Sequence, residues 1–210
     1  NGKSVSVHSR RFVSMDRQEA GAIKYSIKAE HDCKLTIKLI TDADIKNKDS
    51  NYDEKFWNPL NSVASQNSSI VIAETKKTCF GVATGTIFTL QKNNVAISDN
   101  PAIDKTSTTV THTFSVNCKK SDVIDVYKYA AVLSTLNHPI SNIESNCKKL
   151  LDQLLADGFD QLLDDHAKVW ASKWEESDIV IEDDISAQQG IRFNIFQLNQ
   201  TYTGTDARLN

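Results

Sequence analysis

The sequence predicts a mostly β fold, an antiparallel β-sandwich followed by α-helices, and three observations carry that prediction. Apolar and polar residues alternate through the first two thirds of the 210-residue chain, the pattern of strands with one buried face. At Asn137-His138-Pro139 the apolar spacing switches from period two to the helical period. Polar turns separate many short strand-like runs, without the intervening helices that βαβ units require.

The elements follow in order. Ile23, Tyr25 and Ile27 alternate with Lys24, Ser26 and Lys28; Leu35, Ile37 and Leu39 alternate with Lys34, Thr36 and Lys38. Each apolar set predicts an inward face, with the lysines and Thr36 in water. Glu30-His31-Asp32 between them is short enough for an antiparallel hairpin. Ile70–Ala73 is a short apolar run. Cys79–Leu90 is a long one, and its Gly81 and Gly85 predict a bulge or a close approach of backbone. Val110, His112, Phe114, Val116 and Cys118 form another alternating set, and Asp122–Leu136 reads as the last strand. The sandwich is expected over about Lys3–Leu136.

Ser141-x-x-Glu144 has the capping-box pattern. Behind it Ile143, Cys147, Leu150, Leu151, Leu154 and Leu155 recur helically, and Gly158 stands where a C′ glycine would. Helices are therefore expected over Pro139–Asp157 and Phe159–Glu176. Trp170 and Trp174, four residues apart, share one face and are expected to anchor the helix against neighbouring structure. Ile179-Val180-Ile181 is β-like. Ser186–Tyr202 is a third helical pattern, with Ile191, Ile195, Leu198 and Tyr202 in one stripe and Phe193 and Phe196 in a second. A helix apolar on more than one side belongs between two layers.

Composition excludes several function classes. With 24 basic against 27 acidic residues, the net charge of -3 leaves no footprint for nucleic acid. The longest apolar run, Tyr129–Leu133, is far too short for a helical membrane span. Cys33, Cys79, Cys118 and Cys147 include no C-x-x-C pair, so zinc is not expected, and the thiols read as reduced and buried. Asp49-x-Asn51-x-Asp53 opens like a calcium loop, but Glu54 and Leu60 stand where glycine and a carboxylate are needed. No metal site is expected.

His112 on an apolar strand face reads as a core histidine, and His166 as an edge-on partner of Trp170. Neither a nucleophile elbow nor a pair of carboxylates separated across a cleft can be recognised; the adjacent pairs Asp164-Asp165 and Asp183-Asp184 fit caps and surface faces. The residues thus nominate no catalytic or ligand-binding side chain. The stretch Ile45–Ser68 is long for a sandwich connection, and its Phe56-Trp57 end is expected to serve an interface. With neither an initiator Met nor a signal peptide, the chain reads as a piece of a longer protein.

The helical third carries a resemblance. His166-Ala-Lys-Val-Trp170-Ala-Ser-Lys-Trp174, then Ser177-Asp178-Ile179, then Gln188-Gln189-Gly190-Ile191-Arg192-Phe193-Asn194-Ile195-Phe196-Gln197-Leu198, resembles glycoside hydrolase family 65. The ending Tyr202-x-Gly204-x-Asp206-Ala207-Arg208-Leu209-Asn210 is similar to that family's entry into its catalytic barrel. Arg11-Phe12-Val13-Ser14 and Asn51–Trp57 resemble its amino-terminal domain, the latter stretch on the maltose-phosphorylase side.

The resemblance implies an amino-terminal β-sandwich, a helical linker, an (α/α)6 barrel and a small carboxy-terminal β domain. Residues 1–137 would be the later part of the sandwich, 138–183 the linker, and 184–210 the first helix of the barrel. It also implies an inverting phosphorylase that splits an α-linked glucose disaccharide with inorganic phosphate and releases β-glucose 1-phosphate, with no other cofactor. The catalytic acid would lie beyond Asn210, so the fragment itself would be inactive. Cytoplasmic location and a homodimer are consistent with that reading. A trehalase-like hydrolase, then periplasmic, and a free-standing carbohydrate-binding sandwich remain as alternatives.

Overall fold

The computed structural model describes residues 2–46 and 54–202. The strands are β1 (Val5–Val13), β2 (Ala20–Ala29), β3 (Cys33–Asp42), β4 (Trp57–Ala64), β5 (Ser68–Thr75), β6 (Gly81–Lys92), β7 (Val95–Ala96), β8 (Ala102–Lys105), β9 (Thr109–Cys118) and β10 (Val123–Ser134). Two helices follow, α1 (Ile143–Ser177) and α2 (Ile185–Thr201), with one 3-10 turn, Ile140–Asn142, ahead of α1. The chain forms two compact units. The first runs to Val13 and from Glu19 to Phe159; the second joins Ser14–Gln18 to the chain from Asp160 onward.

In the first unit the larger sheet has the order β1-β2-β10-β6-β5-β4, with β7 on β6, and the smaller is β3-β9-β8. Every described pairing is antiparallel. The expected sandwich is thus present. Its interior is built from Ile27, Ile37, Leu39, Phe88, Leu90, Phe114, Val116, Ile124 and Val126. His112 is a core histidine as expected: Nε2 lies 2.7 Å from the Ser65 carbonyl and the ring meets Phe88 edge-on at 4.9 Å. Burial pushes its pKa down, because the imidazolium would lose hydration there. Nearby, the hydroxyls of Thr41, Ser69 and Thr86 satisfy one another at 2.7–3.2 Å inside the same core.

The outer face of the larger sheet is covered as well. The first half of α1 packs there, placing Ile143, Cys147, Leu151 and Leu154 in full burial. The sequence supplies room for it: an added Cβ at Gly85 would lie 2.6 Å from Cys147 Sγ and 2.8 Å from Leu151 Cδ1. The expected close approach at Gly81 and Gly85 is therefore real, while the bulge sits in β4 between Pro59 and Asn61. Burial pushes the Cys147 thiol up to about 12. Phe159 closes this layer against Phe12 and Tyr127, edge-on at 5.6 and 6.3 Å, with the Arg10 guanidinium 5.3 Å from its ring centre.

Five expectations are corrected. Glu30–Asp32 is not a hairpin: β2 pairs with β1 and β10, β3 with β9, so this loop crosses between sheets. It does so because Ala29 exchanges backbone hydrogen bonds with Asp122 and Ser121, while Lys120 N–H donates to Asp32 Oδ1. The capping box does not close, since the turn starts at Pro139 without a side-chain cap and Glu144 accepts from Asn61 Nδ2 instead. Ile45–Ser68 is not one long connection, because β4 lies within it. Ile23 and Tyr25 face inward with Ile27 but are 37% and 40% exposed, because the smaller sheet ends at β3. Cys79 is exposed and Cys33 only half-buried, so burial describes Cys118 and Cys147 alone. The helical boundaries agree with expectation: α1 is interrupted at Gly158, whose φ of 79° suits glycine.

Replacing Gly85 by Ala should lower stability by about 1–3 kcal/mol, the cost of overpacking. Urea unfolding of Gly85→Ala alone and with Cys147→Ala checks this. The second substitution should recover part of the loss, because it removes the nearest clashing atom.

Candidate functional site

The second unit holds the motif residues. Asp184 caps α2 by accepting the Ala187 N–H at 2.9 Å. Ile179–Ile181 is not a strand. Its extended backbone is clamped by one side chain: Gln188 Oε1 accepts from Ile181 N–H at 2.6 Å, and Gln188 Nε2 donates to the Ile179 carbonyl at 2.8 Å. Arg192 reaches back to Asp178 in a bidentate pair, Nε to Oδ1 at 2.9 Å and Nη2 to Oδ2 at 2.6 Å. Asn199 Nδ2 donates to Ser177 Oγ. These bonds tie α2 to the end of α1.

Between the two helices lies an aromatic stack. Trp170 is stacked on Phe196 at 5.2 Å and 23°, and on Trp174 at 6.3 Å and 26°. His166 meets Trp170 edge-on at 6.5 Å and accepts the Met15 N–H at Nδ1. Burial lowers the His166 pKa, consistent with a ring nitrogen that must stay unprotonated to accept. Beside the stack an open hollow of about 570 Å3 is lined by Trp174, Asp178, Gln189, Arg192, Phe193 and Phe196. Phe193 is 59% exposed there.

Chemically this is a packing surface. Asp178 and Arg192 pair through two hydrogen bonds, and Arg192 holds the Asp178 carboxyl below its usual range. Among the described residues, the carboxyls clearly displaced in pKa are Asp122, Asp165 and Asp178, all downward. A general acid for glycosidic cleavage needs the opposite shift. Among the described residues no cluster of His, Cys, Asp or Glu has metal-binding geometry, and no helix is long and apolar enough to cross a membrane.

Trp170 and Trp174 stand together as their spacing predicted, half-buried rather than fully enclosed. Phe56 and Trp57 belong to the first unit, where Trp57 opens the edge strand β4 and Phe56 is 40% exposed. Asp49, Asn51 and Asp53 lie outside the described residues. Sequence reasoning missed three positions: Phe196 as the partner of Trp170, the Asp178–Arg192 pair, and the Gln188 clamp. Only the first had a signal, as a member of a second apolar stripe.

Residues 1–173 match the model of the glycosyl hydrolase family 65 N-terminal domain. The chain belongs to glycosyl hydrolase family 65. It is 32% identical to a maltose phosphorylase of Bacillus subtilis (strain 168) over 209 residues, covering 99% of this chain and 27% of that protein. An alpha,alpha-trehalose phosphorylase of Thermoanaerobacter brockii is 25% identical over 223 aligned residues, covering 100% of this chain and 28% of that protein. A solved structure from the human microbiome, assigned as a kojibiose phosphorylase, superposes with a TM-score of 0.85 at 20% identity, covering 98% of this chain and 26% of that one. Its fold is therefore shared. The chain spans little more than a quarter of the length of these family 65 relatives.

The Asp178–Arg192 pair predicts an acid-sensitive second unit. Asp178 is depressed below its ordinary 3.8, so its stabilisation is complete above that pH and is lost as pH falls through the folded value. Thermal melts followed by tryptophan fluorescence should show Arg192→Gln less stable than the parent at pH 7. The gap should narrow as pH falls below the ordinary carboxylate value and through the lower folded one; a gap constant with pH would refute the linkage.

Proposed function

We propose that this chain is the non-catalytic amino-terminal part of a disaccharide phosphorylase acting on a maltose-like α-linked glucose disaccharide. Inorganic phosphate is the co-substrate, and β-glucose 1-phosphate, formed with inversion, is the product. The observation that carries the reading is the 32% identity to a maltose phosphorylase across 99% of the chain. The trehalose phosphorylase matches at lower identity, which favours the maltose-like substrate.

The residues support a division of labour. Proton donation to a leaving oxygen needs a carboxyl of raised pKa held in a cleft. Among the described residues, the clearly shifted carboxyls are held down by Lys92, Lys168 or Arg192 and by neighbouring amides. In this reading the sandwich and helices support a catalytic domain supplied elsewhere in the polypeptide. The exposed apolar residues of α2, Ile185, Phe193 and Leu198, face that domain as the first helix of an (α/α)6 barrel. Phe56 and Trp57 serve a second interface, within the chain or between two subunits of a homodimer.

The test is direct. The 210-residue chain and the full-length protein are incubated separately with maltose, kojibiose, nigerose and trehalose, with and without phosphate. The full-length protein should consume maltose fastest, only with phosphate, and release β-glucose 1-phosphate; the 210-residue chain should turn over none of them. Phosphate-independent glucose release would replace the reading with a hydrolase. Turnover by the 210-residue chain would place the acid within it.

A further inference from the structure

Far apart in sequence, two of the four cysteines are brought face to face by the fold. Cys33 opens β3 and Cys118 closes β9, and the antiparallel register sets them directly opposite each other. Both lie on the inner face: Cys33 continues the row of Leu35, Ile37 and Leu39, and Cys118 that of Phe114 and Val116. Cys118 is buried, while Cys33 is half-buried at the rim of the same core. The two thiols lie within hydrogen-bonding reach of each other. Cys79 and Cys147 stand outside the strands, so neither has a cross-strand cysteine.

The ladder geometry decides what this pair can do. Ala43 N–H donates to the carbonyl of Thr108 opposite it. Hydrogen-bonded and non-hydrogen-bonded rungs alternate along an antiparallel ladder. Cys33–Cys118 lies an even number of rungs from Ala43–Thr108 and is therefore a hydrogen-bonded rung. Its Cα atoms then stand about 5.5 Å apart, within the roughly 4.4–6.8 Å of disulfides. The Cβ atoms of such a rung stand farther apart than the ~3.8 Å of a relaxed disulfide. A disulfide is therefore reachable here but strained, and a strained disulfide is easily reduced. As the terminal rung of its ladder, the pair has a neighbouring rung on one side only.

We propose that Cys33 and Cys118 form a reversible redox site, oxidised to an intrachain disulfide by exchange with a low-molecular-weight disulfide. Cys33 is the more accessible and attacks first, as its thiolate. Its Sγ bonds to one sulfur of the oxidant, the oxidant's S–S bond breaks, and one small thiol leaves. Cys118 then attacks Cys33 Sγ, the mixed disulfide breaks, and the second small thiol leaves. The chain gives up two electrons and two protons, and the oxidant takes them up as two thiols. Burial, and then the neighbouring Cys33, push the Cys118 thiol up, while the Lys92 ammonium, 2.8 Å from the Asn117 carbonyl, opposes that shift. A thiol of that kind suits the second step, where its partner is held beside it. The new bond clasps two loops at their common base. Glu30–Asp32 precedes Cys33 and Lys119–Asp122 follows Cys118, and the Lys120 N–H already donates to Asp32 Oδ1.

The full-length protein is incubated natively with oxidised glutathione, its free thiols are alkylated, and it is digested with trypsin. Cleavage after lysine isolates residues 29–34 with Cys33 and residues 106–119 with Cys118. These two peptides should be recovered linked, and dithiothreitol should separate them. The linked yield should fall at least tenfold when oxidation is carried out in 8 M urea, because the register no longer aligns the thiols. In Cys118→Ala, Cys33 should stop at the mixed disulfide with one glutathione. In the oxidised protein the Lys120 amide should exchange roughly tenfold more slowly than in the reduced one. Alkylation of both thiols without linkage would overturn the proposal, as would linkage of Cys33 to Cys79 or Cys147 or an equal yield in urea. Unchanged Lys120 exchange in the linked protein would overturn the clasp.

Discussion

The constraint on which the rest of the first unit depends is the burial of β5, β6 and β10 on both faces. A half-exposed sheet would leave Ile70, Ile72, Ile87 and Leu133 in water, all of which are buried. The smaller sheet covers one side and α1 the other. The helix can come close only because small residues share the outer rows: Gly85 is paired with Ile70 and Ala131, Ala83 with Ile72 and Leu133. Each large side chain buried in that layer contributes roughly 1.5–3 kcal/mol. The fold is thus three layers rather than two, and the sandwich is not complete until the helix after Pro139 is docked.

That third layer explains which parts of the structure were legible in the sequence. Period-two alternation places the strands well where one face meets a core, as in Val110–Cys118, whose buried and less buried residues alternate. It says nothing about sheet membership, and so Glu30–Asp32 looked like a hairpin although it crosses between layers. The uninterrupted burial of Ser68–Ala73 is the signature of a strand covered on both faces, and a short apolar run was its only trace in the sequence. The Ile179–Ile181 segment has strand composition but no strand partner; Gln188, nine and seven residues away in sequence, supplies its bonds, and a side-chain clamp of that kind has no periodic signal. The two tryptophans were readable from their four-residue spacing. Their stacking partner required the fold of α2 against α1.

The functional reading has the same structure. The chain's own residues describe supports: a core histidine, the Asp184 cap of α2, an Arg–Asp pair and an aromatic stack. The Arg–Asp pair and the aromatic stack are met by neighbouring side chains, and the core histidine by the Ser65 carbonyl at Nε2. The comparison supplies membership of family 65, and the chain's own structure leaves apolar residues exposed on α2 and a trough beside β3.

The central physical claim is that α1 completes the sandwich. Near-UV circular dichroism and binding of a hydrophobic dye to residues 1–137 alone test it most directly. The account predicts β-rich far-UV spectra with weak near-UV signal, strong dye binding and no cooperative melt, as expected when specific packing is lost. A sharp cooperative melt with native-like near-UV signal and no dye binding would show that the sandwich stands without its helix, and would contradict the account.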